Sequence, residues 1–213
     1  MIDSYKHQAK RRFLVDELRL LGITDEKVLD AFDKVPRHFF LDLVFEQQAY
    51  SNVAFQIGAG QTISHPYTVA FQTQLLQVSK GEKVLEIGTG SGFQTSILCA
   101  LGCKVFSVER QRELYIKVKH IIDFLKFTPK LFYGDGYKGR PIDAPFDKIL
   151  VTCGANFVPE NLLNQLKIGG LLVIPVGSFE VQTMKRITRK SENEYITESF
   201  GDFSFVPMLE NTK

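Results

Sequence analysis

The stretch that most constrains what this chain can fold into is Lys83–Gly102, KVLEIGTGSGFQTSILCALG. A short apolar run, Val84 to Ile87, has the length and β-branching of a buried strand. Glycines follow at alternate positions, Gly88, Gly90 and Gly92, and Phe93 to Leu101 then reads as a helix stopped by Gly102. Strand, glycine turn and helix in that order open a doubly wound nucleotide-binding sheet. The glycines have a physical reason. A ligand reaches the backbone closely only where no Cβ intervenes, and a tight strand-to-helix turn often needs φ > 0. The dinucleotide fingerprint GxGxxG sets its third glycine one residue later than this chain does, and Phe93 stands in its last position. Glu86, two residues before the first glycine, is an anion that would repel a pyrophosphate and suits a ligand carrying positive charge. These features favour S-adenosylmethionine, with its sulfonium and α-ammonium, over NAD.

A chain of 213 residues with 44% apolar and 23% charged residues suits a globular domain with a full core. We read 1–213 as a single domain, with 1–79 as helical lead-in and substrate loop and 80–213 as the nucleotide-binding core and C-terminal strands. The net charge of +2 gives no bulk attraction to nucleic acid or membrane. The N-terminus is charged and lacks the apolar region of a secretory signal, and no run is long and apolar enough to span a bilayer. The three cysteines, Cys99, Cys103 and Cys153, lack the spacing of a disulfide framework or a metal site. The expectation is a cytoplasmic, monomeric protein with reduced thiols and no metal.

Along the chain, Ser4–Leu21 has helical apolar spacing, and Thr24 is the expected cap of a second helix over Asp25–Lys34. Phe39–Phe45 reads as a short helical piece. Tyr50–Pro66 is polar and glycine-containing and reads as a long functional loop, and Pro66 starts a helix to Val78. Strands are expected at Lys104–Val108, Lys130–Tyr133, Lys148–Thr152 and Leu171–Pro175, the last preceded by a Gly169-Gly170 turn. Helices are expected at Gln111–Leu125 and Pro159–Leu166. Gln182–Arg189, Tyr195–Ser199 and the aromatic Phe203–Met208 suggest antiparallel strands at the sheet edge. This pattern predicts an α/β three-layer sandwich with a mostly parallel sheet.

Candidate chemistry falls on the loops after the strands. Glu109 lies twenty-one residues after Gly88, where a carboxylate accepts from ribose hydroxyls in this fold. Asp135, in an Asp-Gly turn, falls where an adenine amino group would be read. Thr152, Cys153, Gly154 and Ala155 form a small neutral loop whose backbone N–H groups are expected to face an anionic substrate. In the Gly60–Pro66 loop, Thr62 and Ser64 offer hydroxyls to a substrate carboxylate. His65 is open to two readings, a base or an ordinary loop residue.

From Val35-Pro36-Arg37-His38 to Phe205-Val206-Pro207-Met208 the chain resembles the protein-L-isoaspartate (D-aspartate) O-methyltransferases. The resemblance rests on GQTISHPYTVA at 60–70, VLEIGTGSGFQTSIL at 84–98, VFSVER at 105–110, GDGYKG at 134–139, APFDKILVT at 144–152, LKIGGLLVIPVG at 166–177 and FVPM at 205–208. It implies a class I S-adenosylmethionine-dependent methyltransferase sandwich, Rossmann-like, with a helical N-terminal addition. The implied activity is methyl transfer from S-adenosylmethionine to the free carboxylate of L-isoaspartyl and D-aspartyl residues in damaged proteins, leaving S-adenosylhomocysteine. Carried over by position, Glu86, Gly88, Thr89, Gly90, Ser91, Gly92, Glu109, Arg110, Asp135, Gly136 and Thr152 would hold the cofactor. Thr62, Ile63, Ser64, His65, Cys153, Gly154, Ala155 and Val206 would meet the substrate, with Ser64 catalytic and closest to the reacting carboxylate. The chain departs from the family pattern at Ser51-Asn52, Phe55-Gln56-Ile57, His65 and Cys153-Gly154, positions that bear on substrate preference.

The reaction needs no strong acid–base pair. A carboxylate with a reference pKa of about 3.9 is ionised at neutral pH, and a sulfonium methyl is activated by its own charge. Alignment and exclusion of water remain as the protein's task. Rival readings are a methyltransferase of the same fold acting on a small molecule, a dinucleotide-dependent oxidoreductase and a non-enzymatic binding module.

Overall fold

The computed structural model describes residues 2–213. The chain opens with α1 (Tyr5–Leu20), whose first turn is closed reciprocally. The Ser4 hydroxyl accepts from the His7 N–H, and the His7 side chain accepts from the Ser4 N–H. α2 (Glu26–Lys34) is capped by Asp25 and not by Thr24, since the Asp25 carboxylate accepts from the Lys27 N–H. The Thr24 N–H donates instead to the Gln74 side chain. The single helical piece expected over Phe39–Phe45 is two 3-10 turns, Arg37–Phe40 and Leu43–Gln48, separated by extended backbone. Phe40 is buried while Leu43 and Val44 are exposed, so no one helical face would bury the segment.

The expected loop at Tyr50–Pro66 contains a hairpin, β1 (Phe55–Gly58) and β2 (Gln61–Ile63). Ala59 and Gly60 join the strands with φ of 51° and 67°. Positive φ at both central residues is the type I′ geometry that matches strand twist. Phe55 and Ile57 face the core, Gln56 and Gly58 face out. α3 (Pro66–Leu76) follows, with the Asn52 carboxamide accepting from the Tyr67 N–H in its first turn.

The main sheet has seven strands: β3 (Lys83–Ile87), β4 (Lys104–Glu109), β5 (Lys130–Tyr133), β6 (Phe146–Val151), β7 (Leu166–Gly177), β8 (Gln182–Arg189) and β9 (Tyr195–Phe203). Their order is β5-β4-β3-β6-β7-β8-β9, with β5 to β7 parallel neighbours and β8 and β9 antiparallel. The connecting helices are α4 (Phe93–Ala100), α5 (Arg112–Phe124) and α6 (Glu160–Gln165). Successive strand residues enter opposite layers. Val84, Val105, Leu150 and Val173 pack with α3 and α4 residues, whereas Leu85, Phe106, Ile149 and Leu172 pack on the face that holds Leu162 of α6. A third cluster joins α1, α2 and the hairpin to Phe93 of α4, with Phe32 and Phe40 edge-on to its ring. The result is a Rossmann-like three-layer sandwich.

Two boundaries differ from expectation for a local reason. β6 begins at Phe146, and Gly169-Gly170 lies inside β7 instead of before it. The register moves from Phe146↔Leu166 to Lys148↔Leu171 across an irregularity. A Cβ on Gly170 would stand 2.8 Å from the Asp147 carbonyl, so this crossing needs glycine. The expected last strand, Phe203–Met208, does not form beyond Phe203. The tail leaves the sheet and makes a single parallel bridge, Gly154 with Pro207. The strand order reverses at β3, where β4 lies on one side and β6 on the other, and such a switch point opens a crevice at the carboxyl ends of the strands.

Candidate functional site

The crevice is lined by the turns after β3, β4 and β6, by Gly136 beyond β5, by Gln61–Ser64 of the hairpin, and by the tail at Val206–Leu209. Each wall traces to a local cause. Gly88 has φ of 96°, and a Cβ there would stand 2.5 Å from Thr152 Oγ1. The Thr152 hydroxyl is fixed by donating to the Gly88 carbonyl at 2.6 Å. A Cβ on Gly136 would meet Ile87 Cγ2 at 2.5 Å. Both glycines therefore let Thr152 and Ile87 pack closely against the backbone that edges the crevice.

Glu109 supplies the charge. Its carboxylate accepts from the Gly90 N–H at 2.8 Å and the Gln111 N–H at 2.7 Å. Burial raises its pKa, and the backbone donors at Gln111, Gly90 and Arg110 oppose that rise. An ionised carboxylate has about four acceptor sites, so acceptor capacity remains beyond these backbone donors for a ligand hydroxyl. Arg110 lines the same edge and donates to the carbonyls of Asn211 and Glu210, tying the tail across the opening.

Thr62, Ile63 and Ser64 face the crevice from the hairpin side, opposite the glycine turn of Gly88, Thr89, Gly90 and Ser91. Cys153 and Val206 also line it. Burial pushes the Cys153 thiol up to about 12, with the Glu109 charge adding to the effect, so the floor of the site is neutral.

Other expected residues stand elsewhere. Glu86 is fully buried behind the glycine turn and does not line the crevice. Burial pushes its carboxyl up to about 7 against the pull of the Ser107 and Thr95 hydroxyls, so it is not the simple anion that the charge argument assumed. Gly92 caps α4 with φ of 85°, and a Cβ there would strike Val118 Cγ2 at 2.3 Å. Its role is close packing of α4 on α5. The Asp135 carboxylate accepts from the Tyr137 and Asn211 N–H groups and stands off the crevice, while its neighbour Gly136 lines it. His65 is an exposed N-cap of α3 and lies outside the lining. The neutral loop offers fewer free donors than expected: only the Cys153 N–H has no hydrogen-bond partner among the described residues. The Thr152 N–H donates to Ile87, the Gly154 N–H to Val206 and the Ala155 N–H to Pro175.

Several lining residues were missed. Gln72 and Gln94 are buried polar side chains on α3 and α4; Gln72 Nε2 donates to the Val151 carbonyl and Gln94 Nε2 to the Thr73 hydroxyl. Their signal was a glutamine inside an otherwise apolar helical stretch. Gln61, Phe93, Pro207, Met208 and Leu209 also line the site. The tail residues reach it through a nonlocal bridge that no local pattern announces.

Comparison with known proteins agrees with this geometry. A model of the family described as protein-L-isoaspartate (D-aspartate) O-methyltransferase matches residues 9–213. The chain is 59% identical over 212 residues to a protein-L-isoaspartate O-methyltransferase of Christiangramia forsetii, covering 99% of both chains. It is 56% identical to one of Flavobacterium psychrophilum over the same coverage. Among solved structures, a protein-L-isoaspartate O-methyltransferase superposes with a TM-score of 0.85 at 27% identity, covering 94% of this chain and 66% of that one. A Plasmodium falciparum protein assigned to the same enzymes, in complex with S-adenosyl-L-homocysteine, superposes with a TM-score of 0.82 at 25% identity, covering 96% and 99%.

Proposed function

The chain belongs to the protein-L-isoaspartate (D-aspartate) O-methyltransferase family, and from that premise we propose how its residues divide the work. The enzyme uses S-adenosylmethionine to methylate the free carboxylate of isoaspartyl residues in damaged proteins and peptides, the first step of their repair. The bound cofactor supplies an activated methyl group. D-Aspartyl residues are read as a second substrate of the same site.

The cofactor side is assigned to Gly88–Ser91, Glu109, Arg110, Gly136 and Thr152. The observation that carries it is the Glu109 carboxylate, held at the edge of the crevice by the backbone N–H groups of Gly90 and Gln111 beside the glycine turn. Glu86, Gly92 and Asp135 support that side from behind by holding the turn, the α4 packing and the tail. The acceptor side is assigned to Thr62, Ile63, Ser64, Cys153 and Val206, with the Ser64 hydroxyl donating to the carboxylate oxygen that does not react. His65, Gly154 and Ala155 shape that side without facing the substrate.

No proton has to move, because the nucleophile is ionised at neutral pH. The side chains hold the carboxylate oxygen in line with the transferred carbon and keep water out, and such orientation is worth about 7–11 kcal/mol. The single unit 1–213 acts as a monomer in the cytoplasm, needing neither nucleic acid nor a membrane. No helix among the described residues is long and apolar enough to cross a bilayer. The test is methyl transfer from labelled S-adenosylmethionine to an isoaspartyl peptide, with the matching aspartyl peptide as control. Label confined to the isoaspartyl peptide is expected; equal label on both, or on neither, overturns the assignment.

A further inference from the structure

Arg37 is 1% exposed. Its Nη1 donates to the Ala49 carbonyl, and its Nη2 donates to the carbonyls of Val53 at 3.0 Å and Ser64 at 3.1 Å. Nε has no partner among the described residues. The guanidinium lies 5.6 Å from the Phe55 ring centroid and 5.7 Å from that of Phe93. No carboxylate among the described residues forms an ion pair with it. Tyr50, the phenol nearest in charge, is itself pushed up to about 12 by burial and is neutral in the working range. A buried cation without a counter-ion is unfavourable unless something else compensates it.

The geometry points to Arg37 as a positioning residue for methyl transfer: it clamps both ends of the acceptor loop and keeps beside it a net positive charge without a counter-ion that the isoaspartyl carboxylate balances on binding. This rests on the assignment of Ser64 to the acceptor side. Ala49 and Val53 lead into the hairpin and Ser64 leaves it, so one planar fork fixes where Thr62–Ser64 stand against the methyl donor. Arg37 does not itself line the crevice; it acts on the acceptor side through Ser64, whose carbonyl it holds, and through the charge it keeps beside that loop. Burial lowers the guanidinium to about 9 but leaves it charged at neutral pH.

The experiment compares an isoaspartyl peptide with its isoasparaginyl analogue, in which the free carboxylate is a carboxamide, as competing ligands for wild type, Arg37→Met and Arg37→Lys. Wild type is expected to bind the carboxylate peptide at least about tenfold more tightly than the amide. In Arg37→Met that preference should fall to within about threefold, while calorimetric affinity for S-adenosylmethionine is unchanged. Arg37→Lys should keep the preference but lose about tenfold in kcat, because an ammonium cannot bridge three carbonyls in a plane. Equal weakening of both peptides in Arg37→Met would mean a merely structural role and overturn the inference. So would loss of the preference in Arg37→Lys, which carries the test alone should the Met variant not fold. Absence of methylation by wild type would instead overturn the isoaspartyl assignment itself.

Discussion

In the proposed division of the site, Ser64 and Gly88 serve opposite sides of the reaction. Ser64 offers a hydroxyl to an ionised carboxylate, and a hydrogen bond to a charged group contributes about 1.5–3 kcal/mol. Ser64→Ala is therefore expected to lower kcat/KM for an isoaspartyl peptide about tenfold to a hundredfold without abolishing turnover, and an unchanged kcat/KM would remove Ser64 from the acceptor side. Gly88 is constrained twice, by φ of 96° and by a Cβ position 2.5 Å from Thr152 Oγ1. By displacing Thr152 at the crevice edge, Gly88→Val should cost S-adenosylmethionine at least about a hundredfold in affinity, whereas calorimetry at wild-type affinity would contradict the cofactor assignment. That both line the crevice was legible in the sequence, because a glycine at a strand end and a hydroxyl in a short motif are local signals. Glu86 was misread for the complementary reason. Its position in the chain is local, but its burial, and with it its charge state, depends on Thr95 and Ser107 packed around it.

At the level of elements, the strands and helices from β3 onward followed from their apolar runs and stops. The hairpin was not seen, although Phe55, Ile57 and Ile63 alternate with polar residues, because Gly58, Gly60 and polar composition gave the segment the look of a loop. The tail was the other miss. It is held by pairing that spans the chain: the Gly154 N–H donates to Val206, the Met208 N–H to Gly154, and the Gln182 side chain accepts from the Phe205 N–H at 2.8 Å. Gln182 is 1% exposed, and a Cβ on Gly154 would stand 2.8 Å from its Cδ. Gly154→Ala thus forces a fixed amide to move and loosens the segment that carries Val206 to the crevice. Its expected cost is about 1–3 kcal/mol of stability, read from the denaturant midpoint, together with a raised KM for peptide. A variant with wild-type midpoint and KM would show that the tail holds without this contact.

For the whole molecule, the central buried carboxyl sets a pH dependence whose sign can be worked out. Glu86 sits at the middle of the sheet, fully buried, with its carboxyl pushed from 4.5 to about 7 in the folded chain. Below pH 4.5 it is protonated in both folded and unfolded chains and costs nothing. Between 4.5 and about 7 the folded chain holds a proton that the unfolded chain has released, so stability falls as pH rises through this window. Above about 7 the loss is complete, and at 1.36 kcal/mol per pKa unit it amounts to about 3 kcal/mol. Glu109 is also raised by burial and slopes the same way, so the bulk curve cannot isolate either group. Glu86→Gln can, because the carboxamide keeps an acceptor for the Thr95 hydroxyl and removes the titration. The variant should match wild type near pH 4.5 and exceed it by about 3 kcal/mol at pH 8, measured by denaturant unfolding at both pH values. A wild-type-minus-variant difference that is flat across that range would place the Glu86 carboxyl at its ordinary pKa. It would also restore it as an anion behind the glycine turn, the role its charge alone suggested.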